Sequence, residues 1–207
     1  MNKRDFDKEA AVWDTPPRVG ISRDIAQAVI SRVPLTKEMS VLDFGCGTGL
    51  VAIAIKDKVK KITGVDTSEG MISVFLGKIE AQRMGNVEAK SIKELTEIYS
   101  KDEKYDLIFT SLTLHHVEDI GKCLAGFFDM IKPGGYVAIA DLDEEGGRFH
   151  ENNDGVFHFG FNRDEIKKRL SGIGFKDVRA GTAAEIIKPD RDKVQSAFKV
   201  FIITGKK

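Results

Sequence analysis

Three glycines at alternate positions, Gly45, Gly47 and Gly49, stand between an apolar run that ends at Phe44 and another that opens at Leu50. Glycine permits positive φ and lets the backbone approach a ligand closely. A helix starting behind such a turn presents N–H groups with no partner inside the helix. The spacing is GxGxG. A dinucleotide fingerprint, GxGxxG, would need its third glycine at position 50, where Leu50 stands, and no GKS or GKT makes a P-loop. Asp43 precedes the turn; a carboxylate there repels a pyrophosphate and attracts a cation. Asp66 ends the next apolar run, in GVDTS, 17 residues after Gly49, and an acid at that place accepts both hydroxyls of a ribose. Together these residues suit an adenosine with a cationic or zwitterionic tail and no phosphate.

The remaining chemistry rests on four histidines. His115 and His116 follow an apolar run in YDLIFTSLTLHHVED, and His150 and His158 sit in EEGGRFHENNDGVFHFGFNRDE. All four are candidates for a general base or for orienting a substrate, with His115, His116 and His158 placed ahead of His150; helix capping, packing and backbone bonding are their structural alternatives. The HxxxxxxxH spacing of His150 and His158 on a loop is a weak metal signal, and Cys46 and Cys123 form no CxxC pair, so no metal site is expected. Cys46 reads as a small filler of the glycine turn rather than a nucleophile. Phe149, Phe157, Phe159 and Phe161 divide between core and the wall of an apolar substrate pocket. Trp13 reads as a packing residue and Arg18 as a possible carboxylate partner.

Strands and helices alternate around these residues. Strands are expected at Ser40 to Phe44, Lys61 to Val65, Val87 to Lys90, Tyr105 to Thr110, Tyr136 to Ala140, Phe175 to Arg179 and Phe198 to Thr204. Helices are expected at Thr48 to Lys56, Ser68 to Arg83, Glu118 to Ile131 and Asn162 to Gly172. Residues 1–35 form an N-terminal helical segment, interrupted at Thr15-Pro16-Pro17 and resuming from Ser22 to Arg32. Parallel strands joined by helical crossovers imply an α/β, mainly parallel sheet with right-handed connections. The gap before the last strand, with Pro189 and a charged run from Lys188 to Lys193, reads as a reversed connection with a solvated turn. Residues 142–161 are a loop insertion at the sheet's carboxyl edge, where function concentrates.

The 207 residues suit a single domain, 1–207, and Lys+Arg and Asp+Glu are both 32, so the basic excess of a nucleic-acid binder is absent. No apolar run is long enough to span a bilayer. The first residues lack the apolar core of a secretory signal, and the cysteine usage fits a cytoplasmic setting.

VLDFGCGTG, GVDTSEGMI, YDLIFTSLTLHHVED and IKPGGYVAIAD, in this order, resemble the motifs of class I S-adenosylmethionine-dependent methyltransferases. The resemblance is strong from about Ser40 to Leu142. It implies a Rossmann-like seven-stranded mixed sheet of order 3-2-1-4-5-7-6, with the last strand antiparallel and helices on both faces. It implies S-adenosyl-L-methionine as cofactor and S-adenosyl-L-homocysteine as product. By the same resemblance Asp43, Gly45, Cys46, Gly47 and Gly49 hold the methionine moiety. Asp66 holds the ribose, Thr67 and Met71 lie near ribose and adenine, and Ser111 borders the cofactor. No acid follows the third strand in EAKSIKEL, which leaves Ser91 or the Ile92 backbone to meet the adenine. Residues 1–35 would close over the site as a lid. The expected acceptor is a small, partly apolar molecule; TSLT replaces an NPPY-like tetrapeptide after the fourth strand, which weakens amino methylation of a base. The rival readings are an RNA or protein methyltransferase and a non-catalytic cofactor-binding subunit.

Overall fold

The computed structural model describes residues 6–93 and 103–207. Seven strands, β1 (Ser40–Phe44), β2 (Lys61–Asp66), β3 (Val87–Ser91), β4 (Tyr105–Ser111), β5 (Ile131–Leu142), β6 (Lys176–Pro189) and β7 (Gln195–Lys206), form one sheet of order β3-β2-β1-β4-β5-β7-β6. The pairs among β1 to β5 are parallel, and β7 runs antiparallel to both β5 and β6. This is the sheet that the motifs imply.

The helices are α1 (Phe6–Glu9), α2 (Pro16–Arg32), α3 (Leu50–Ile55), α4 (Glu69–Ala81), α5 (Ile120–Met130) and α6 (Arg163–Ile173). Neighbouring strand residues point to opposite faces, so both faces of a central parallel strand must be covered. In β1, Val41 joins the layer formed with Ile25 and Val29 of α2, Val51 and Ile55 of α3, and Phe75 of α4. Leu42 and Phe44 join the opposite layer, with Leu124 and Phe127 of α5 and Ile166 and Leu170 of α6.

Two expectations are corrected. The second N-terminal helix begins at Pro16, with prolines in its first turn. A proline there loses nothing, because the first N–H groups of a helix have no partner within it and its φ is already helical. The late gap is mostly strand: β6 continues to Pro189 and β7 starts at Gln195. The intervening turn is not merely solvated, for Asp190 at its base is buried. Asp190 accepts bonds from the N–H groups of Asp192 and Val194, both at 2.9 Å, from the Ser196 hydroxyl at 3.0 Å, and from Arg148. Burial alone would raise its pKa, but the Val194 N–H, Arg148 and Ser196 outweigh that and hold it at about 2.

The β1–α3 turn depends on Gly49, whose φ is 78° and whose added Cβ would lie 2.1 Å from the Phe75 ring. Gly49→Ala therefore combines a left-handed residue with overpacking, and should destabilise the protein by about 2 to 5 kcal/mol. Urea unfolding checks this; an unchanged midpoint would show that Phe75 moves aside freely.

Candidate active site

The glycine turn lies at the carboxyl ends of β1 and β2, the edge where doubly wound sheets take ligands. Four of its N–H groups are committed internally. Those of Gly45 and Cys46 donate to the Val65 carbonyl at 2.9 and 3.0 Å, that of Gly49 to the Cys46 carbonyl at 2.9 Å, and that of Gly47 to Asp66 Oδ2 at 2.7 Å. A phosphate cradle would instead aim such groups outward at an anion. A Cβ on Gly45 would strike the Thr113 side chain at 2.2 Å, so that glycine serves packing. A Cβ on Gly47 would meet nothing within 4 Å, so the backbone there is open to close approach by a ligand.

Asp43 is buried, and its pKa is raised well above the ordinary carboxylate value, first by burial and then by the charge of Asp66. Asp66 is itself raised, mainly by burial, although the N–H groups of Ser68 and Gly47 oppose the shift. Two neighbouring carboxylates in a desolvated cleft stabilise a bound cation and are relieved by it. Cys46 packs its sulfur against Gly64, and burial followed by Asp43 and Asp66 pushes the thiol up. It stays protonated and acts as filler, not as a nucleophile.

On the adenine side, Thr67 is exposed and Met71 is buried in the first turn of α4. Ser91 ends β3 opposite Asp66. The Ile92 N–H donates to the Asp66 carbonyl at 3.0 Å, so of its backbone only the carbonyl is left for a ligand. The chain then enters residues 94–102, outside the described residues.

The sequence places the candidate histidines His115 and His116 on the turn after β4. Leu112 holds φ at 52°, an outlier for a bulky residue. Its N–H bonds to the Ala140 carbonyl at 2.8 Å, and the Thr113 hydroxyl donates to Gly45 and Ser111 carbonyls, each at 3.1 Å. This strain aims His115 and His116 along the sheet edge. His115 is 2% exposed, and its Nδ1 lies 2.7 Å from Oδ1 of Asp141 at the end of β5. Burial works against the Asp141 charge, but His115 and the Leu142 N–H outweigh it and keep the pKa below the ordinary value. His116 Nδ1 bonds to the Gly155 carbonyl at 2.8 Å.

The third histidine of this cluster is His150, not His158. The ring centroids of His115, His116 and His150 lie 4.2 to 5.5 Å apart. His158 bonds through Nε2 to the Val117 carbonyl at 2.9 Å, and its N–H donates to the His115 carbonyl at 3.2 Å. It braces the loop against the turn. Among the described residues, one ring nitrogen from each of His115, His116 and His150 lies within 4.8 Å of the others, a grouping that the sequence spacing did not signal. The sequence reasoning missed Asp141 and set His150 aside; an acid ending a buried apolar strand was the available signal for Asp141. The aromatic wall is also revised. Phe161 is buried, Phe149 packs edge-on to Phe198, and Phe157 and Phe159 are 52% and 46% exposed.

The N-terminal segment lies over this edge. Asp7 accepts bonds from the Ser68 hydroxyl at 2.6 Å and the Gly70 N–H at 2.8 Å. Asp14 accepts the Thr48 hydroxyl at 2.6 Å and pairs with Lys78. Phe6 stands edge-on to His116 at 5.4 Å. Arg18 stacks on Trp13 at 3.9 Å and donates to its carbonyl, so both residues serve packing here.

A family model described as a methyltransferase domain matches residues 20–180. The chain is 37% identical over 109 residues to the ubiquinone biosynthesis O-methyltransferase of Coxiella burnetii, covering 52% of this chain and 45% of that protein. It spans about half the length of the curated relatives that it matches first. Its fold is similar to that of a putative methyltransferase from Bacillus halodurans, with TM-score 0.71, 17% identity, and 88% and 98% of the two chains covered. It is also similar to Haemonchus contortus phosphoethanolamine N-methyltransferase 2 in complex with S-adenosyl-L-methionine, with TM-score 0.67, 17% identity, and 88% and 52% covered.

Asp66→Ala should weaken S-adenosylmethionine binding about 10- to 100-fold, as expected for losing hydrogen bonds to a charged group; an unchanged Kd in calorimetry would remove Asp66 from the ribose site. On the expected roles, Asp43 must be ionised to attract the cation and Asp66 to accept from both ribose hydroxyls, and both have raised pKa values. Proton release thus accompanies binding, and the Kd should rise as the pH is lowered through the raised carboxyl range. A flat profile would contradict this.

Proposed function

The chain belongs to the class I S-adenosylmethionine-dependent methyltransferases, and on that premise we propose that it transfers the methyl group to a small, partly apolar molecule by in-line displacement. S-adenosylmethionine supplies a methyl already activated on a sulfonium. The chain's part is to align, to exclude water and to manage a proton where the acceptor carries one.

In this reading Asp43 faces the cationic end of the cofactor, beside the backbone of Gly45, Cys46 and Gly47. Asp66 takes the ribose hydroxyls, and Thr67, Met71, Ser91, Ile92 and Ser111 border the nucleoside. His115 and His116 face the acceptor. His158 is a positioning residue, acting through the Val117 and His115 backbone that it holds. The N-terminal segment is the lid, and within its described residues Asp7 and Asp14 tie it down.

The observation that carries the small-acceptor reading is the closeness of this cover: Phe6 sits against His116 while Asp7 and Asp14 bind the first turn of α4 and the glycine turn. Such a space admits a small molecule more readily than a structured RNA or a protein surface. Equal numbers of basic and acidic residues and the name of the Coxiella relative support the same acceptor class. Among the described residues no helix is long and apolar enough to cross a membrane.

Single-turnover reactions with methyl-labelled cofactor and a panel of phenols, alcohols, thiols, carboxylates and amines test this. Label should appear in the small-molecule fraction; transfer solely to RNA or protein would overturn it. His158→Ala should lower kcat about 10- to 100-fold, the scale of a misplaced reacting group, with little change in cofactor affinity. His158→Gln, which keeps a donor toward the Val117 carbonyl, should recover part of that loss. Full turnover in His158→Ala would leave the residue no role beyond packing.

A further inference from the structure

Three imidazoles converge beneath the N-terminal segment. One ligand atom from each of His115, His116 and His150 lies within 4.8 Å of the other two. Two of the rings have their tautomer set by an acceptor: His115 Nδ1 by Asp141 at 2.7 Å, and His116 Nδ1 by the Gly155 carbonyl at 2.8 Å. A ring that donates from Nδ1 carries its lone pair on Nε2. A carboxylate behind one ring and a carbonyl behind another is the outer shell that metal-ligating histidines use. The rings come from two places, the turn after β4 and the loop after β5. That loop is itself pinned: the Phe157 N–H donates to the His115 carbonyl at 2.9 Å, and Lys193 pairs with Glu151 at 2.6 Å. Asp141 is fully buried, and its Oδ2 has no hydrogen-bond partner among the described residues. A cation nearby would compensate that oxygen.

We propose that His115, His116 and His150 bind a divalent transition metal ion of the zinc class, with Asp141 as the outer acceptor that orients His115. Ligands of a tetrahedral ion at about 2.0 Å stand about 3.3 Å apart, so from a spread of up to 4.8 Å the rings close by up to about 1.5 Å on binding. Three neutral nitrogens leave the ion's full charge and one open position. Phe6 stands edge-on to one of the three rings, His116, at 5.4 Å. The open position's use in the reaction rests on the methyl-transfer reading above; its existence does not. In that use an acceptor hydroxyl loses its proton to solvent under the pull of the ion. The oxygen then forms the O–CH3 bond as the S–CH3 bond breaks, and sulfur keeps the electron pair as a neutral thioether.

The test uses the full chain after chelator treatment, titrated with Zn²⁺ in a calorimeter and with Co²⁺ by visible absorption, without cofactor. One ion per chain is expected. Asp141→Asn should weaken binding about 10- to 100-fold, the usual effect of an outer-shell change, and His150→Ala should lose stoichiometric binding. Should the buried variants fail to fold, His116→Ala, at a half-buried position, carries the same expectation. Failure to bind Zn²⁺ more tightly than about 1 mM would overturn the site, as would undiminished binding in folded His116→Ala. S-adenosylmethionine binding is measured on the same samples. A protein that takes zinc and ignores the cofactor would overturn the methyl-transfer reading alone, and the reverse would overturn the metal site alone.

Discussion

The bond from the Gly47 N–H to Asp66 joins the glycine turn after β1 to the acid that ends β2. It fixes the glycine turn to the tip of β2 and turns an N–H that might have met an anion onto an acid of the chain. With Asp43 buried alongside, the carboxyl edge of β1 and β2 becomes a place of excess negative charge in low dielectric. Such a place disfavours phosphates and favours a sulfonium or ammonium group. The left-handed glycines, the filler role of Cys46 and the packing of Phe75 beneath Gly49 all keep that turn in position.

The opposite half of the cleft follows a different logic. The turn after β4 is held by Thr113 on the Gly45 carbonyl, so the histidine turn is referenced directly to the glycine turn. Its histidines are then fixed from outside, by Asp141 at the end of β5 and by Gly155 in the insertion. Three segments distant in sequence therefore meet at one edge, which is what a parallel sheet with long crossovers does for residues at its strand ends.

This division explains how much was legible beforehand. The strands, the acids and the glycine turn are written in local patterns, an apolar run, a turn residue at a fixed offset, an acid; the order of the strands in the sheet is not local and followed from the family resemblance of the motifs. Asp43 and Asp66 could be read that way. His150 could not, because its place depends on where a long loop settles, and the repeat of two histidines drew attention to His158 instead. The length of β6 and β7 was also hidden. Their outer halves alternate with exposed charges such as Glu185 and Lys199, a pattern that resembles a loop until Asp190 is seen to close the turn. The helix beginning at Pro16 was masked by residues that break a helix everywhere but in its first turn.

The tip of the β6–β7 hairpin reaches back to the insertion: Arg148 meets Asp190, Lys188 meets the Phe149 carbonyl, and Lys193 meets Glu151. The last stretch of the chain thus props the segment that carries His150, while making no bond to the glycine turn among the described hydrogen bonds. Descendants of such a scaffold can lengthen, shorten or recharge that prop and so retune which molecule is accepted, leaving the grip on the shared methyl donor untouched.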